Sequence, residues 1–213
     1  LTMDLPDAIE TERLAIADRL DTLTPEQWTA PTCCDQWSVL EVAAHLTQGW
    51  NYSTAHGMFQ MLKARGDLGK VSAGCIAPLA AAGPEAVLAD LRANAGNRFK
   101  PPGLGFEAPL NDLAMHGRDM FLLLDIAYDP PANVVRNSLE MATQGGMVKM
   151  VNARRHLDGL RVSATDQDWS WGTGEQITGP ALPLAHALWG RTESLAELDG
   201  PGVKVLQDRL GTR

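Results

Sequence analysis

The stretch Leu110–Ala127 constrains the fold of this chain more than any other. Its apolar side chains cover nearly every side of a helical wheel, which is typical of a buried helix. Asp112, His116 and Asp119 nevertheless fall on one face of that helix, at positions i, i+4 and i+7. Buried charges are costly unless they are paired or bound to a metal ion. The stretch therefore predicts a buried helix that carries a polar, functional stripe.

A second helix offers a matching stripe. The capping box Ser38–Glu41 begins a helix that is predicted to run to about Arg65. His45, Tyr52 and His56 recur along one face of it. A carboxylate and a histidine four residues apart on one helix, with a histidine from a facing helix, make a metal site of the kind found in helical bundles.

The donor types indicate what such a site could do. Two imidazoles and one carboxylate leave coordination positions open, which is the arrangement of catalytic rather than structural zinc. On spacing alone the pattern is weak, because such pairs occur by chance on many helices. The alternative for His116 is a core histidine that is hydrogen-bonded to Asp112 or Asp119 without a metal.

The remaining patterns predict a mainly α chain with two parts. Amphipathic patterns predict further helices at Leu5–Leu23, Glu85–Arg98 and Asn133–Arg155, whereas Leu68–Gly83 is predicted to be a loop. After residue 159, alternation at period two predicts a small antiparallel sheet, followed by short helices. We expect residues 1–157 to form a helical bundle and residues 158–213 to form a small α+β portion.

Composition restricts the partners and the compartment. The net charge of −8 and the pI near 5.0 argue against a nucleic-acid or anionic membrane surface. No apolar run approaches the roughly 20 residues of a transmembrane helix. Three cysteines make no disulfide framework and indicate a reducing, cytoplasmic setting. Cys33 and Cys34 could approach the His45 helix, but such cysteines are more often small buried hydrophobic residues.

An ordered set of short motifs carries a resemblance to a known family. The motifs are Pro31-Thr32, Trp37-Ser38-Val39, His45-Leu46, Asp112-x-x-x-His116-Gly117-x-Asp119, Ala164-Thr165-Asp166-x-x-Trp169, Gly179-Pro180-Ala181, Gly190-Arg191 and Leu198-x-Gly200. Together they resemble the DinB-like metalloenzyme superfamily, and more closely its actinobacterial branch, the mycothiol-dependent maleylpyruvate isomerase family. The set spans nearly the whole chain and is much more specific than any single motif.

The resemblance implies a DinB-like four-helix bundle, followed by the C-terminal portion, with one divalent metal ion. By position the ligands would be His45, Asp112 and His116, and the ion would be zinc in preference to nickel. Characterised enzymes of this family use mycothiol either to isomerise small organic acids or as the thiol that is transferred onto them. The family more often has glutamate at position 112, and the aspartate of this chain is about one methylene shorter.

Four further residues are weaker candidates. Asp119 is interpreted either as a support for His116 or as an ion-pair partner of a basic group such as Arg118. Tyr52 and His56 could line the mouth of a pocket or lie on a solvated helix face. Arg191 could bind a substrate carboxylate or form a surface salt bridge. No residue is assigned as the catalytic acid or base.

These patterns leave three functional hypotheses. The first is a divalent-metal-dependent transferase or isomerase that uses mycothiol or a similar thiol on a small organic molecule. The second is a hydrolase in which the metal activates water. The third is a non-catalytic bundle that binds a small apolar ligand. A homodimer is compatible with the sequence, although no apolar stripe demands one.

Overall fold

The structure, a computed structural model, describes residues 4–34, 37–65, 68–144 and 156–211. The chain divides into two compact units, Leu1–Tyr128 and Asp129–Arg213. The first unit is helical and the second combines helices with a three-stranded sheet. The predicted fold class, mainly α with a small α+β C-terminal portion, is confirmed.

The first unit contains a four-helix bundle. Its helices in the described residues are α1 (Leu5–Leu20), α2 (Pro25–Trp28), α3 (Val39–Asn51), α4 (Thr54–Lys63), α5 (Leu68–Ala80), α6 (Pro84–Ala93) and α7 (Glu107–Phe121). Helices α1 and α3 each pack against both α6 and α7, so that these four helices close into a ring. Fully buried side chains such as Ile16, Val42, Leu91 and Leu110 fill the space between them.

The start of α3 is fixed by the predicted capping box. The Ser38 N–H donates to Glu41 Oε2 over 2.8 Å, and the Glu41 N–H donates to Ser38 Oγ over 3.4 Å. Two of the otherwise unpaired amides at the helix start are thereby satisfied. Because the box sets where α3 begins, it also sets the angular position of His45 on the helix.

The single helix predicted from Ser38 to Arg65 is wrong, because the structure divides it. Helix α3 ends at Asn51, and Tyr52 has an extended backbone with φ −126° and ψ 136°. Ser53 then caps α4, because its side chain accepts the N–H of His56. Serine competes with helical hydrogen bonding and favours this capping position. The stripe expected along one helix is therefore broken after residue 51.

The prediction of a loop over Leu68–Gly83 is also wrong. Helix α5 covers most of it and packs on α3, burying Cys75 and Ile76. Pro78 cannot donate a helical hydrogen bond to the carbonyl of Gly74, but Gly74 is exposed, so water can satisfy that carbonyl. Tertiary burial therefore outweighs the low helix propensity of glycine and proline in this segment.

Helix α7 is shorter than the stretch that predicted it. Eleven of its fifteen residues are buried, in agreement with the all-round apolar pattern. After Phe121 the backbone makes one 3₁₀ turn, Leu122–Leu124, and Asp125 takes a left-handed conformation with φ 56°. Leu123 is 50% exposed, so the buried part of the stretch ends before the predicted limit at Ala127.

The second unit is built on helix packing and a small sheet. Its elements in the described residues are α8 (Ala132–Thr143), β1 (Leu160–Ala164), β2 (Ser170–Gly172), β3 (Glu175–Gly179), α9 (Ala181–Leu188), a 3₁₀ segment (Thr192–Glu197) and α10 (Gly202–Leu210). Helix α8 packs on α9 and therefore belongs to the second compact unit. The sequence predicted the boundary later in the chain, between residues 157 and 158. The predicted continuation of α8 over residues 145–155 lies outside the described residues.

The sheet is mixed, so the prediction of an antiparallel sheet is wrong for one strand pair. Strand β1 is central, with β2 antiparallel on one side and β3 parallel on the other. Gly174, at φ 128°, lies where a Cβ would be 1.9 Å from the carbonyl oxygen of Gly159. Only glycine allows this close crossing, which carries the chain past the start of β1 and places β3 on its far side.

One further property concerns membranes. In the described part of the chain, each helix taken alone is too short or too polar to cross a bilayer. One bent pair of helices, Gly69–Ala80 and Pro84–Ala93, is long and apolar enough when the two are counted together.

A close contact between α7 and Tyr128 makes a testable prediction. A Cβ at Gly117 would lie 2.3 Å from Tyr128 Cζ, and the Tyr128 hydroxyl is held by Glu12 Oε1 at 2.7 Å and the Leu113 carbonyl at 3.2 Å. Gly117→Ala should therefore lower the free energy of unfolding by about 1–3 kcal/mol through overpacking. Urea denaturation measures this change.

The matched control is Gly74→Ala in α5, where the nearest atom to the new Cβ is 3.6 Å away. Alanine is favoured over glycine in a helix by about 1 kcal/mol, so this variant should be neutral or more stable. Equal effects of the two substitutions would contradict the packing of Tyr128 on α7.

Candidate metal centre

The structure brings the three predicted ligands together where α3 packs on α7. Asp112 lies between two histidines: its Oδ2 is 3.2 Å from His45 Nε2, and its Oδ1 is 3.6 Å from His116 Nε2. The imidazole centroids of His45 and His116 are 4.7 Å apart, in an edge-to-face arrangement. One ligand comes from α3 and two come from successive turns of α7, as the spacing predicted.

The distances among these atoms suit a divalent ion. The three donor atoms all lie within 4.8 Å of one another. Two ligand atoms bound to a tetrahedral zinc ion at about 2.0 Å lie about 3.3 Å apart, close to the separations seen here. Two imidazole nitrogens and a carboxylate are donors that zinc and nickel accept. The shorter aspartate therefore reaches both histidines, and the residues present fit the metal that the family resemblance implies.

The site is closed on one side and open on the other. The side chains of His45 and His116 are 12% and 10% exposed, whereas that of Asp112 is 49% exposed. A small molecule could therefore approach from the side of Asp112, while the histidines are anchored in the bundle. Such an arrangement has the open positions of a catalytic site rather than the closed shell of a structural one.

Asp119 supports His116 from the interior of the bundle. Its Oδ2 lies 2.8 Å from His116 Nδ1, and its side chain is fully buried. A carboxylate that accepts the Nδ1 proton leaves the other ring nitrogen as the metal-facing atom. His116 Nε2, which faces Asp112, is therefore the nitrogen available to an ion. The contact agrees with the first of the two roles considered for Asp119, support of His116, and that role stays a prediction.

The charged surroundings change the titration of His116. Burial lowers its pKa, but hydrogen bonds that the ring donates to Asp119 and Cys34, together with the negative charges of Asp112 and Asp119, outweigh this and raise the pKa to about 10. The ordinary pKa of histidine is about 6.5. In the metal-free protein His116 is therefore an imidazolium at neutral pH.

A short loop places a thiol beside this histidine. Its described residues are 31–34 and 37–38, and a β-bridge joins Pro31 to Ser38. The N–H of Cys33 donates to the Asp119 carbonyl over 3.1 Å, which ties the loop to α7. Cys34 consequently hydrogen-bonds to His116, and the donor atoms of Cys34, His116 and Asp119 lie within 4.8 Å of one another.

The same loop contributes an aromatic wall. The Trp37 ring centroid is 5.4 Å from that of His45 and 6.5 Å from that of His116. Sequence reasoning used Trp37 only as part of a family motif and interpreted Cys34 mainly as a hydrophobic residue. The available signal was their position immediately before the helix that carries His45, but it does not show how the loop folds back on α7.

Three other predicted residues have different surroundings. Tyr52 stacks on His56 with centroids 4.4 Å apart and donates its hydroxyl proton to the carbonyl of Cys75 in α5. Among the described residues, His56 belongs to neither of the two donor groups that contain His116. Arg191 lies in the second unit, where it donates to the Trp189 carbonyl over 3.1 Å. The roles suggested for these residues stay predictions.

Comparison with known proteins agrees with the family resemblance. Residues 9–100 match the family model of the mycothiol maleylpyruvate isomerase N-terminal domain. The resemblance inferred from the sequence motifs is confirmed by this match over residues 9–100. The matched segment contains His45 but ends before Asp112 and His116. Comparison with curated protein sequences gives no match.

Two crystal structures are similar over the length of the chain. One is the mycothiol-dependent maleylpyruvate isomerase, at 13% identity and a TM-score of 0.57. The other is a histidine-to-alanine mutant of the mycothiol-dependent maleylpyruvate isomerase, at 11% identity and a TM-score of 0.61. Each comparison covers 93% of this chain and 93% of the other. At such low identity the likeness establishes the shared fold.

The raised pKa of His116 predicts how metal affinity depends on pH. A ligating imidazole must lose its proton, so zinc affinity should fall as pH falls below about 10, by about tenfold per pH unit. Calorimetry between pH 6.5 and 8 should show this slope, with about one proton from His116 released per ion at pH 7.5. An affinity that is already constant above pH 7 would contradict the protonated state of His116.

The contact with Asp119 predicts a second effect. Asp119→Asn should weaken zinc binding about 10–100-fold, because the amide holds His116 less firmly and with a different ring tautomer. Competition with a chromophoric chelator measures the affinity, and stoichiometry at saturating zinc should remain one. Asp18→Asn is the matched control, since Asp18 lies on α1 beside Arg92, and its affinity should equal that of the wild type.

Proposed function

We propose that this protein is a divalent-metal-dependent enzyme that uses a small thiol of the mycothiol type. It would either isomerise a small organic acid or transfer the thiol onto it. The observation that carries the proposal is the convergence of His45 Nε2, the Asp112 carboxylate and His116 Nε2 at distances that suit one ion. Its context is a chain whose residues 9–100 match the family model of the mycothiol maleylpyruvate isomerase N-terminal domain.

His45, Asp112 and His116 would hold the ion, and zinc is the proposed metal because its preferred donors include all three side chains. When bound, a divalent ion supplies the acidity that converts a coordinating thiol into a thiolate at neutral pH. Nickel accepts the same donors and is the second candidate. The exposed side of Asp112 is the direction from which the thiol and the substrate would enter.

The surrounding residues would organise the reaction. Asp119 holds the His116 ring by its Nδ1 atom and so keeps Nε2 directed to the site. The indole of Trp37 lies beside both imidazoles, with ring centroids 5.4 and 6.5 Å away, and would limit the access of water on that side. Exclusion of water strengthens electrostatic interactions within a site and protects reactive groups from hydrolysis.

The reaction we propose is the addition of the thiol across a carbon–carbon double bond of the substrate: the sulfur bonds to the electrophilic carbon, the π bond breaks, and the thiol proton is delivered to the other carbon. Release of the adduct would make the protein a transferase, and expulsion of the same thiol after rearrangement would make it an isomerase. The solved relatives carry the second activity in their name, mycothiol-dependent maleylpyruvate isomerase, so maleylpyruvate is the first substrate to test. A reducing thiol cofactor would also place this protein in the cytoplasm.

Metal content tests the ligand set. Purified protein loaded with zinc should hold one ion per chain, and His116→Ala should reduce this to less than one tenth. His56→Ala is the matched control, because His56 lies on α4 and stacks on Tyr52, and it should retain one ion. Equal zinc content in both variants would contradict the proposed site.

An activity assay tests the thiol. Zinc-loaded protein is given maleylpyruvate with mycothiol, with glutathione or without thiol, and isomerisation is followed by absorbance. We expect turnover that depends on both thiol and metal and is lost at least 100-fold in Asp112→Ala. Hydrolysis of ester or amide substrates without any thiol would overturn the proposal in favour of a metal-activated-water hydrolase.

A further inference from the structure

Cys34 and Asp119 form with His116 a second group of metal-binding atoms. We propose that Cys34, His116 and Asp119 form a thiophilic metal site, and that an ion bound there disables the site formed with His45 and Asp112. The existence of this inner site follows from its own geometry. Its inhibitory effect rests on the function proposed above.

The three side chains of the inner site are already in contact. The Cys34 side chain hydrogen-bonds to the His116 imidazole, and His116 Nδ1 lies 2.8 Å from Asp119 Oδ2. Their sulfur, nitrogen and oxygen donors all lie within 4.8 Å of one another. Zinc-type ions take sulfur at about 2.3 Å and nitrogen or oxygen at about 2.0–2.2 Å, so small movements of the side chains would complete the coordination.

The backbone holds Cys34 in place for this role. The N–H of Cys34 donates to Thr32 Oγ1 over 3.1 Å, and its carbonyl accepts the N–H of Trp37 over 3.1 Å. The adjacent Cys33 N–H donates to the carbonyl of Asp119, so that the loop and the third donor residue are tied together. A site with its backbone fixed in advance binds with a smaller loss of conformational entropy.

The chemistry of the inner donors differs from that of the outer ones. A thiolate selects soft ions such as Cd²⁺ and Cu⁺, whereas two imidazoles and a carboxylate favour zinc and nickel. The inner site is also less open, because Asp119 is fully buried and Cys34 is half-buried, while Asp112 is 49% exposed. Cd²⁺ is therefore the ion that best distinguishes the two sets.

The two sites exclude one another through a single imidazole. A neutral imidazole has one nitrogen with a free lone pair and one that carries a proton. An ion in the inner site would take His116 Nδ1, which faces Asp119, and the ring proton would then reside on Nε2. That nitrogen faces Asp112, so the outer site would lose one of its three ligands. Two protons pass to solvent on binding, one from the Cys34 thiol and one from Nδ1 of the His116 imidazolium, and the proton on Nε2 stays in place.

The test uses Cd²⁺ alone added to the metal-free full-length chain, with ultraviolet absorbance reporting sulfur-to-cadmium charge transfer. We expect a saturable band in the wild type and in Cys33→Ser, and its loss in Cys34→Ser. His45→Ala should keep the band because His45 belongs only to the outer site, whereas Asp119→Asn should weaken Cd²⁺ binding at least tenfold. Circular dichroism melting identifies any variant that fails to fold.

Two results would overturn the inner site: a band that persists in folded Cys34→Ser, or a band that disappears in folded His45→Ala. The proposed function is judged separately, by zinc content and thiol-dependent turnover. If both sites exist, one equivalent of Cd²⁺ should reduce turnover at least tenfold in the wild type and less than twofold in Cys34→Ser. Equal inhibition of the two proteins would contradict the exclusion of one site by the other.

Discussion

The hydrogen bond between Asp119 and Nδ1 of His116 is the interaction on which the candidate site depends. A fully buried carboxylate needs a partner, and a buried imidazole needs a fixed orientation; the 2.8 Å contact provides both. It directs Nε2 toward Asp112 and the histidine of α3, and together with Cys34 and Asp112 it raises the pKa of His116 to about 10 before any metal binds. One residue pair therefore sets the geometry of the centre, its charge and its sensitivity to protons.

The bundle makes this arrangement possible by packing α3 directly against α7. A capping box fixes where α3 begins, and the short loop before it is tied to the Asp119 carbonyl through the Cys33 N–H. Local hydrogen bonds thus determine which side chains meet across the helix interface. The result is a histidine with a carboxylate on each side, where the outer side is open to small molecules and the inner side contacts a thiol.

Sequence reasoning predicted the parts of the site that follow from helical periodicity. The spacing of Asp112 and His116 was sufficient because both lie on one continuous helix, and the family motif supplied the histidine of α3. It failed where tertiary contacts decide the backbone: burial against α3 makes a helix of a glycine- and proline-containing segment, and a serine cap divides a predicted helix at Ser53. The position of Cys34 depends on loop closure, which no periodicity encodes.

The measurement that tests the central claim most directly is anomalous diffraction from crystals of the zinc-loaded protein. The account predicts one anomalous peak about 2.0–2.2 Å from His45 Nε2, an Asp112 carboxylate oxygen and His116 Nε2. A fully loaded crystal with its zinc elsewhere, or with no peak between these three side chains, would contradict the proposed metal centre.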